Sequence, residues 1–258
     1  MIFGSTLATA AFVFVLGLVL GSFYNVCIHR YLSGESIVSP GSHCPNCQKR
    51  LRWWENLPLV SYVLLRGRCS GCGEGISPRY PAVELISGLW LLALYLEFGL
   101  GGAWAVHLVF GGLLIVLSFI DLESFVLPDI MVLPGAAVAF VCTGLVLHLG
   151  WLESLLGAVA GAGAFFLLQK GYKFLKGVEG LGSGDIKLML LLGALVGWRL
   201  LPLMVFLSAL CGLAVSLIYI YSPKGKGMQT AIPFGPFLSL GAMLTILWGP
   251  EIWQWYFY

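Results

Sequence analysis

Long apolar stretches recur along the chain, separated by shorter polar segments. Eight of them approach the ~20 mostly apolar residues that a helix needs to cross a bilayer. They cover residues 6–24, 82–98, 104–120, 130–149, 153–171, 186–198, 201–221 and 233–250. The sixth is short, and we expect it to be tilted or to begin in a re-entrant turn. The pattern predicts an all-α polytopic membrane protein with about eight transmembrane helices.

One sizeable hydrophilic stretch, residues 25–81, interrupts this pattern. We expect three parts: a first transmembrane helix at 1–24, an extramembrane loop domain at 25–81 and a seven-helix membrane domain at 82–258. Met1 to Phe23 contains no Lys or Arg, whereas a signal peptide needs a basic region before its apolar stretch. The first segment is therefore expected to remain in the protein as a span.

Basic residues predict the orientation. If residues 25–81 lie in the cytoplasm and the spans alternate, every Lys and Arg except Arg199 falls on the cytoplasmic side, as the positive-inside rule requires. The composition agrees, because 59% of the residues are hydrophobic and only 10% are charged. Soluble domains carry about 25% charged residues, so a soluble globular protein is excluded.

Four cysteines form two pairs in the hydrophilic loop, Cys44-Pro-Asn-Cys47 and Cys69-Ser-Gly-Cys72, with 21 residues between the pairs. Two such turns can direct four thiolates at one ion, which predicts a structural zinc site with no open coordination position. Two disulfides are the alternative, but cytoplasmic thiols stay reduced. His43 is an alternative ligand, and Gly71 and Gly73 suit the turns of such a site.

Two aspartates lie at the edges of predicted spans. Asp121 ends the third span and Asp185 opens the sixth, so both fall at the cytoplasmic face. Acidic residues at membrane depth are costly and usually functional. A close carboxylate pair keeps one proton, so the ionised member can activate water while the protonated member polarises a scissile carbonyl. A helix cap or a solvated charge is the alternative for each aspartate alone.

Neighbouring residues suggest how Asp185 is surrounded. Gly180, Gly182 and Gly184 allow positive φ and leave room for another backbone, such as an extended substrate. Lys187 does not share a helix face with Asp185, so we expect it to meet substrate, lipid or another acid. Asp129 follows Pro128 and is expected to be the N-cap of the fourth span.

Taken in order, these motifs resemble those of the bacterial type IV prepilin peptidases, which are bifunctional leader peptidases and N-methyltransferases of the GxGD aspartic type. The resemblance covers nearly the whole chain and includes both Cys pairs. The first catalytic motif of the family matches Asp121, six residues and Pro128-Asp129, and the second, Gly-x-Gly-Asp-x-Lys, matches Gly182 to Lys187. Further matches are Gly21-Ser22-Phe23-Tyr24-Asn25-Val26, Arg66-Gly67-Arg68-Cys69 and Ile76-Ser77-Pro78-Arg79-Tyr80-Pro81.

The resemblance implies a function for these residues. Asp121 and Asp185 would be catalytic, and Gly182, Gly184, Lys187 and Asp129 would support them. The family cuts the short basic leader from prepilins of type IV pili or pseudopilins of type II secretion, after a Gly, at the cytoplasmic face of the inner membrane. It then methylates the new N-terminal amine with S-adenosylmethionine. The implied partners are these substrates and membrane lipid, with no nucleic acid, and the four Cys favour the bifunctional form.

The methyltransferase residues rest on the resemblance alone, because the sequence has no Gly-rich dinucleotide-type fingerprint after a strand. They are Gly21, Asn25, Arg30, Arg79, Tyr80 and Glu84, and for each of them loop structure or membrane anchoring is the alternative. Glu84 could hold a cationic amine. Two other functions stay open: a peptidase that does not methylate, and a transporter with Asp121 and Asp185 as ion ligands. Transporters often show an internal repeat and midplane sites, and the sequence suggests neither.

Overall fold

The computed structural model describes residues 2–39, 41–178, 180–221 and 232–257, without the side chains of 2–5, 219–221 and 256–257. These ranges contain nine α-helices, one 3-10 helix at Trp53–Asn56 and no β-strand. The α-helices are α1 Ile2–Ser33, α2 Val60–Leu64, α3 Arg79–Phe98, α4 Gly102–Ser124, α5 Asp129–Leu145, α6 Trp151–Lys176, α7 Ser183–Val196, α8 Leu201–Tyr221 and α9 Gly235–Phe257.

Each of the eight predicted apolar segments contributes one long helix, which confirms the all-α membrane fold. Among the described residues, five helices are long and apolar enough to cross a bilayer: α1, α3, α4, α6 and α8. The helices α5 and α7 have 17 and 14 residues. The boundaries differ from those predicted, most clearly in α1, which continues past residue 24 to Ser33. Hydropathy marks where a helix leaves the bilayer, whereas the helix itself ends only where its backbone bonds end.

The chain forms two compact units, Met1–Val116 and Leu117–Tyr258. In the first unit, α1 and α3 pack as close antiparallel neighbours. A Cβ added to Gly17 would lie 2.6 Å from the carbonyl oxygen of Ser87, and one added to Gly21 would lie 2.6 Å from the Cα of Glu84. Such backbone proximity is what small residues allow between membrane helices. It also brings the two ends of the loop 34–78 together.

In the second unit, α7 is the central helix, and it packs against α5, α6 and α9. Nine of its residues are buried. Helix α6 approaches it so closely that a Cβ on Gly157 would lie 2.2 Å from the Gly193 carbonyl oxygen. The hydroxyls of Thr143 on α5 and Ser154 on α6 both donate to the Ala194 carbonyl, at 3.0 and 2.7 Å. Surrounding helices therefore hold α7, and with it the position of Asp185.

Candidate functional site

Asp121 and Asp185 are both buried in the second unit, with 5% and 9% of their surfaces exposed. Asp121 lies in the last turn of α4 and Asp185 in the first turn of α7. They are close enough for the charge of Asp121 to act on the Asp185 carboxyl. Two acids that share a buried space are costly to a fold, so a helix-capping role alone does not account for the pair.

Local helix geometry fixes Asp185. The N-cap of α7 is Gly182, so Asp185 is the third helical residue, and its carboxylate hydrogen-bonds to the Gly182 backbone. This contact is half of a capping box, in which the N3 carboxylate satisfies an N–H group that the helix leaves open. The positive end of the helix dipole also favours a negative charge there. The start of α7 therefore orients Asp185.

Asp121 is held by a different helix, α9, whose first residue is Gly235. The Gly235 backbone donates a hydrogen bond to the Asp121 carboxylate. A Cβ added to Gly235 would lie 2.5 Å from an Asp121 carboxylate oxygen, so a larger residue does not fit. Gly235 was not predicted from the sequence. Its only signal is a Phe-Gly-Pro turn before the last span, which does not indicate the distant residue that it contacts.

Leu127 is a second residue of the site that was not predicted from the sequence. Added Cβ atoms on Gly184 and Gly235 would lie 3.1 Å and 3.6 Å from its side chain. Leu127 thus packs against the starts of both α7 and α9, the two helices that orient the aspartates. The expectation of positive φ in the glycine motif was wrong, since neither Gly182 nor Gly184 has it. A glycine is needed at position 184 instead because the Leu127 side chain leaves little room for a Cβ there.

Lys187 and Asp129 form an ion pair beside the aspartates. The Lys187 Nζ donates to both carboxylate oxygens of Asp129, at 2.7 Å each. Of the three partners expected for Lys187, another acid is therefore the one found. The prediction that Asp129 is an N-cap was wrong: Pro128 is the N-cap and Asp129 is the first helical residue of α5. The side chain of Asp129 turns to Lys187 because an opposite charge is within its reach.

The four cysteines of the hydrophilic loop meet in the first unit, and all four sulfurs lie within 4.8 Å of one another. The Cys44–Cys72 and Cys47–Cys69 sulfur distances are both 3.9 Å. Four sulfurs at ~2.3 Å from a central Zn²⁺ would be about 3.8 Å apart. No disulfide joins them. The cluster therefore fits one tetrahedral metal ion, and His43, whose Nδ1 lies 3.0 Å from the Gly41 carbonyl oxygen, is not part of it.

Two equivalent turns build this cluster. In the first turn, Cys44 N–H donates to the Lys49 carbonyl and Gln48 N–H to the Cys44 carbonyl. In the second, Cys69 N–H donates to the Glu74 carbonyl and Gly73 N–H to the Cys69 carbonyl. Gln48 and Gly73 occupy matching places and both have positive φ. The turn role predicted for Gly73 is confirmed, whereas Gly71 provides close approach, since its Cβ would lie 3.3 Å from the Cys47 sulfur.

Glu55 ties the two turns together. Its carboxylate accepts hydrogen bonds from Lys49, just past the first pair, from Ser70, inside the second pair, and from the Arg52 backbone. These donors lower the pKa of Glu55 to about 2, with the Arg52 N–H the largest cause. Partners outside the metal shell commonly orient the residues that bind the ion.

A cavity of about 200 Å³ lies between the cysteine loop, the C-terminal end of α1 and the N-terminal start of α3, all within the first unit. Four of the predicted methyltransferase residues line it: Asn25, Arg30, Tyr80 and Glu84. The Asn25 amide donates to the carbonyls of Gly21 and Tyr80, and no described residue donates to its buried Oδ1. Glu84 accepts from the Leu59 N–H at 2.8 Å.

The other two predicted methyltransferase residues have structural contacts. Gly21 allows α1 to approach α3 at Glu84. The Arg79 guanidinium lies 5.0 Å from the centre of the Tyr80 ring. Of the six residues predicted for the methyltransferase, Gly21 and Arg79 do not line the cavity, and the other four do.

Both units are similar to known protein families. Residues 15–98 match the family model of the bacterial peptidase A24 N-terminal domain, and residues 108–217 match that of the type IV leader peptidase family. No solved structure matches the chain.

Curated relatives from several bacteria carry the name prepilin leader peptidase/N-methyltransferase, and three of them illustrate the similarity. The protein of Stutzerimonas stutzeri is 38% identical over 92% of this chain and 90% of its own. The Pseudomonas putida protein is 36% identical over 96% and 91%, and the Aeromonas hydrophila protein 35% over 95% and 92%. The chain belongs to the type IV leader peptidase family.

Proposed function

We propose that this protein removes the leader from prepilins or pseudopilins and then methylates the N-terminal residue that cleavage exposes. Two groups of residues support this proposal, one in each unit. The buried Asp121–Asp185 pair suits peptide hydrolysis, and the cavity beside the cysteine cluster suits methyl transfer. The names of the relatives combine the same two activities.

The peptidase reaction requires different protonation of the two acids. The ionised carboxylate takes a proton from water, and the resulting hydroxide attacks the carbonyl carbon of the scissile bond. The protonated carboxyl donates a hydrogen bond to the carbonyl oxygen and stabilises the charge that develops there. The pair carries two protons after water is activated. When the C–N bond breaks, the departing amine takes up one of these protons from the pair. The pair then returns to its one-proton state.

One observation carries the peptidase proposal: two buried carboxylates, 64 positions apart in the chain by their numbers, interact in a protein of this family. A transporter would need ion ligands along a path through the bilayer. Instead, both aspartates lie in terminal turns of their helices.

The test is cleavage of a purified prepilin in liposomes, read by mass spectrometry. Asp121→Asn and Asp185→Asn should each reduce the cleavage rate by at least about 1,000-fold, since neither acid can do both proton tasks. Glu97→Gln, an exposed acid at the end of α3, is the control and should cleave normally. Cleavage at near wild-type rate by either Asp variant would remove that residue from the catalytic pair.

The methyltransferase proposal rests on the chemistry of the cavity. Its buried acceptors, the Glu84 carboxylate and the unpartnered Oδ1 of Asn25, suit a cationic group. S-adenosylmethionine, a sulfonium cation, would be held by Asn25, Tyr80 and Glu84 and supplies an electrophilic methyl group when bound. A protonated amine is not nucleophilic, and the Glu84 carboxylate can take its proton before transfer.

Glu84→Gln tests this role because it keeps the shape of the side chain but removes its charge. Given pilin that has already been cleaved, the variant should methylate at least about 100-fold more slowly, while cleavage of prepilin continues. Methylation at the wild-type rate would contradict the assignment of Glu84. Gly101→Ala, where an added Cβ meets no atom within 4 Å, is a neutral control in the same unit.

We further propose that the Cys44, Cys47, Cys69 and Cys72 cluster holds a structural zinc ion, and that the loop and both sites face the cytoplasm of the bacterial cell. The sulfur geometry supports the zinc, and the distribution of Lys and Arg supports the orientation. A membrane-impermeant thiol reagent tests the orientation. It should label metal-free Cys47 in inside-out vesicles and leave it unlabelled in right-side-out vesicles; the reverse would overturn the topology.

A further inference from the structure

Residues 53–64 of the extramembrane loop expose an unusual amount of apolar surface. Trp53 is 74% exposed, Val63 72% and Leu64 75%, and Trp54, Leu57 and Val60 are also exposed. We call these six residues the loop patch. Contiguous exposed apolar surface on a polar domain usually marks a binding face.

The fold explains why the loop patch points outwards. On α2, Val60, Val63 and Leu64 follow the i, i+3, i+4 spacing of one helix face. The intervening Ser61 and Tyr62 are half-buried and line the cavity. Because the inner face of α2 is engaged, the helix cannot turn its apolar face inwards without opening the cavity.

Positive charge surrounds the loop patch. Arg50, Arg52, Arg66 and Arg68 flank it, and all four are exposed. The Arg52 guanidinium lies 5.2 Å from the centre of the Trp54 ring. The one acid between residues 50 and 68, Glu55, is directed to Lys49 and Ser70, and its side chain is 5% exposed. Residues 50–68 therefore present aromatic and aliphatic groups together with four exposed arginines and no exposed acid, and Glu74 is the exposed acid next to Arg68.

A hydrogen bond fastens the loop patch to a membrane helix. The N–H of Leu59, between the 3-10 helix and α2, donates to Glu84 in the second turn of α3 at 2.8 Å. Leu59 has a φ of 59°, which a Leu rarely adopts. Helix α3 is long and apolar enough to cross a bilayer. The patch is therefore fixed beside the point where a span leaves the hydrocarbon region.

We propose that the loop patch docks on the headgroup region of the bilayer, in a leaflet that contains anionic lipid. Tryptophans concentrate at this depth of the membrane. Amphipathic segments with arginines around an apolar face lie in the same interface, and each basic residue adds attraction to anionic headgroups. Docking would cover the apolar surface, and the arginines would pair with lipid phosphates. The alternative occupant of the patch is the prepilin substrate.

The experiment uses the full chain in nanodiscs that carry brominated lipids, which quench nearby tryptophans. Subtracting the emission of Trp53→Phe/Trp54→Phe from that of wild type isolates these two residues. Phosphatidylcholine discs are compared with discs that also contain phosphatidylglycerol. Bromines near the headgroups should quench this emission about twofold more than bromines at the chain ends, and phosphatidylglycerol should increase the quenching.

Charge variants test the anionic preference. Arg66→Gln/Arg68→Gln should remove the increase caused by phosphatidylglycerol, whereas Lys170→Gln/Lys176→Gln, which removes two charges from α6, should keep it. The proposal is overturned if bromolipids leave the Trp53 and Trp54 emission unchanged while aqueous iodide quenches it. It is also overturned if only added prepilin shields these residues. Neither readout uses enzyme activity, so its result does not depend on the proposed function.

Discussion

The cysteine cluster and the aspartate pair are assembled in opposite ways. Each half of the cysteine cluster is a short turn, closed by backbone bonds within residues 44–49 or 69–74. The aspartate pair needs three helices, because α4 carries Asp121, α7 carries Asp185 and α9 contributes Gly235. A site built from turns needs an ion to complete it, whereas a site built from helices depends on how those helices pack.

This difference predicts how each site fails. Substitution of a cysteine should release the ion and loosen the loop, with little effect on the position of the aspartates in the other unit. Substitution of a residue at a helix contact should displace the aspartates and leave the metal content unchanged. The following variants test that separation, in order of decreasing expected effect.

Gly235→Ala should have the largest effect. Its Cβ would lie 2.5 Å from an Asp121 carboxylate oxygen, so either Asp121 or the start of α9 must move. Misplacement of catalytic groups by about 1 Å can cost 100-fold in rate, and we expect a loss of at least that size in the prepilin cleavage rate. Zinc content should not change.

Gly163→Ala is the matched control, because an added Cβ there meets no atom within 4 Å. It should cleave at the wild-type rate. Normal cleavage by Gly235→Ala would show that α9 does not orient Asp121, and the three-helix description of the site would fail.

Cys69→Ser should reverse this pattern. One thiolate fewer leaves the metal incompletely bound, so zinc measured by mass spectrometry should fall from about one per chain to near zero. Hydrogen exchange in residues 44–75 should rise and methylation should be lost. Cleavage should stay within about threefold of wild type, since a second-unit site does not use the ion.

Cys142→Ser removes a thiol from α5 and serves as the control, with zinc retained. If Cys69→Ser lost cleavage as completely as methylation in a folded protein, the two sites would not be independent.

Breaking the Lys187–Asp129 pair should have a moderate effect. Both side chains are partly exposed, at 37% and 56%, and exposed ion pairs contribute about 0.2–1 kcal/mol. Asp129→Asn should therefore slow cleavage no more than about fivefold. The exchanged pair Asp129→Lys/Lys187→Asp should recover part of the loss if attraction between α5 and α7 is what matters. Glu153→Gln, which breaks the Arg199 pair of the same unit, is the control.

Glu55→Gln should have the smallest effect. The lowered pKa of Glu55 means that its ionised form stabilises the folded loop above pH 4.5, and this contribution is lost as the pH falls towards 2. Wild type should therefore resist urea better than Glu55→Gln at pH 7, as followed by hydrogen exchange in the loop. The difference should close between pH 4.5 and 2. A difference that persists at pH 2 would show that charge is not the cause.

The sequence predicted features that depend on local pattern. The apolar segments located all eight long helices, and the spacing of Cys44, Cys47, Cys69 and Cys72 indicated the cluster that the structure contains. Asp121 and Asp185 were recognised because acids are rare at membrane depth. These signals need no knowledge of how the helices pack.

Features that depend on packing were missed. Nothing in the sequence near Gly235 or Leu127 indicates that they contact the aspartate helices, since contacts over such separations are set by the tertiary fold. The N-cap interpretation of Asp129 was wrong for the same reason, because the partner of Asp129, Lys187, lies 58 positions away. Room for a substrate backbone beside Gly182 and Gly184 stays a prediction, whereas the close neighbour that the structure gives Gly184 is the Leu127 side chain.

We infer that one chain carries two independent sites, a peptidase in the second unit and a methyltransferase in the first. The most direct test gives Asp185→Asn and Glu84→Gln both substrates, intact prepilin and pilin already cleaved, with S-adenosylmethionine present. Asp185→Asn should fail to cleave prepilin yet methylate the cleaved pilin, and Glu84→Gln should cleave prepilin yet leave it unmethylated. Loss of both activities in either folded variant would show that the two sites are not independent.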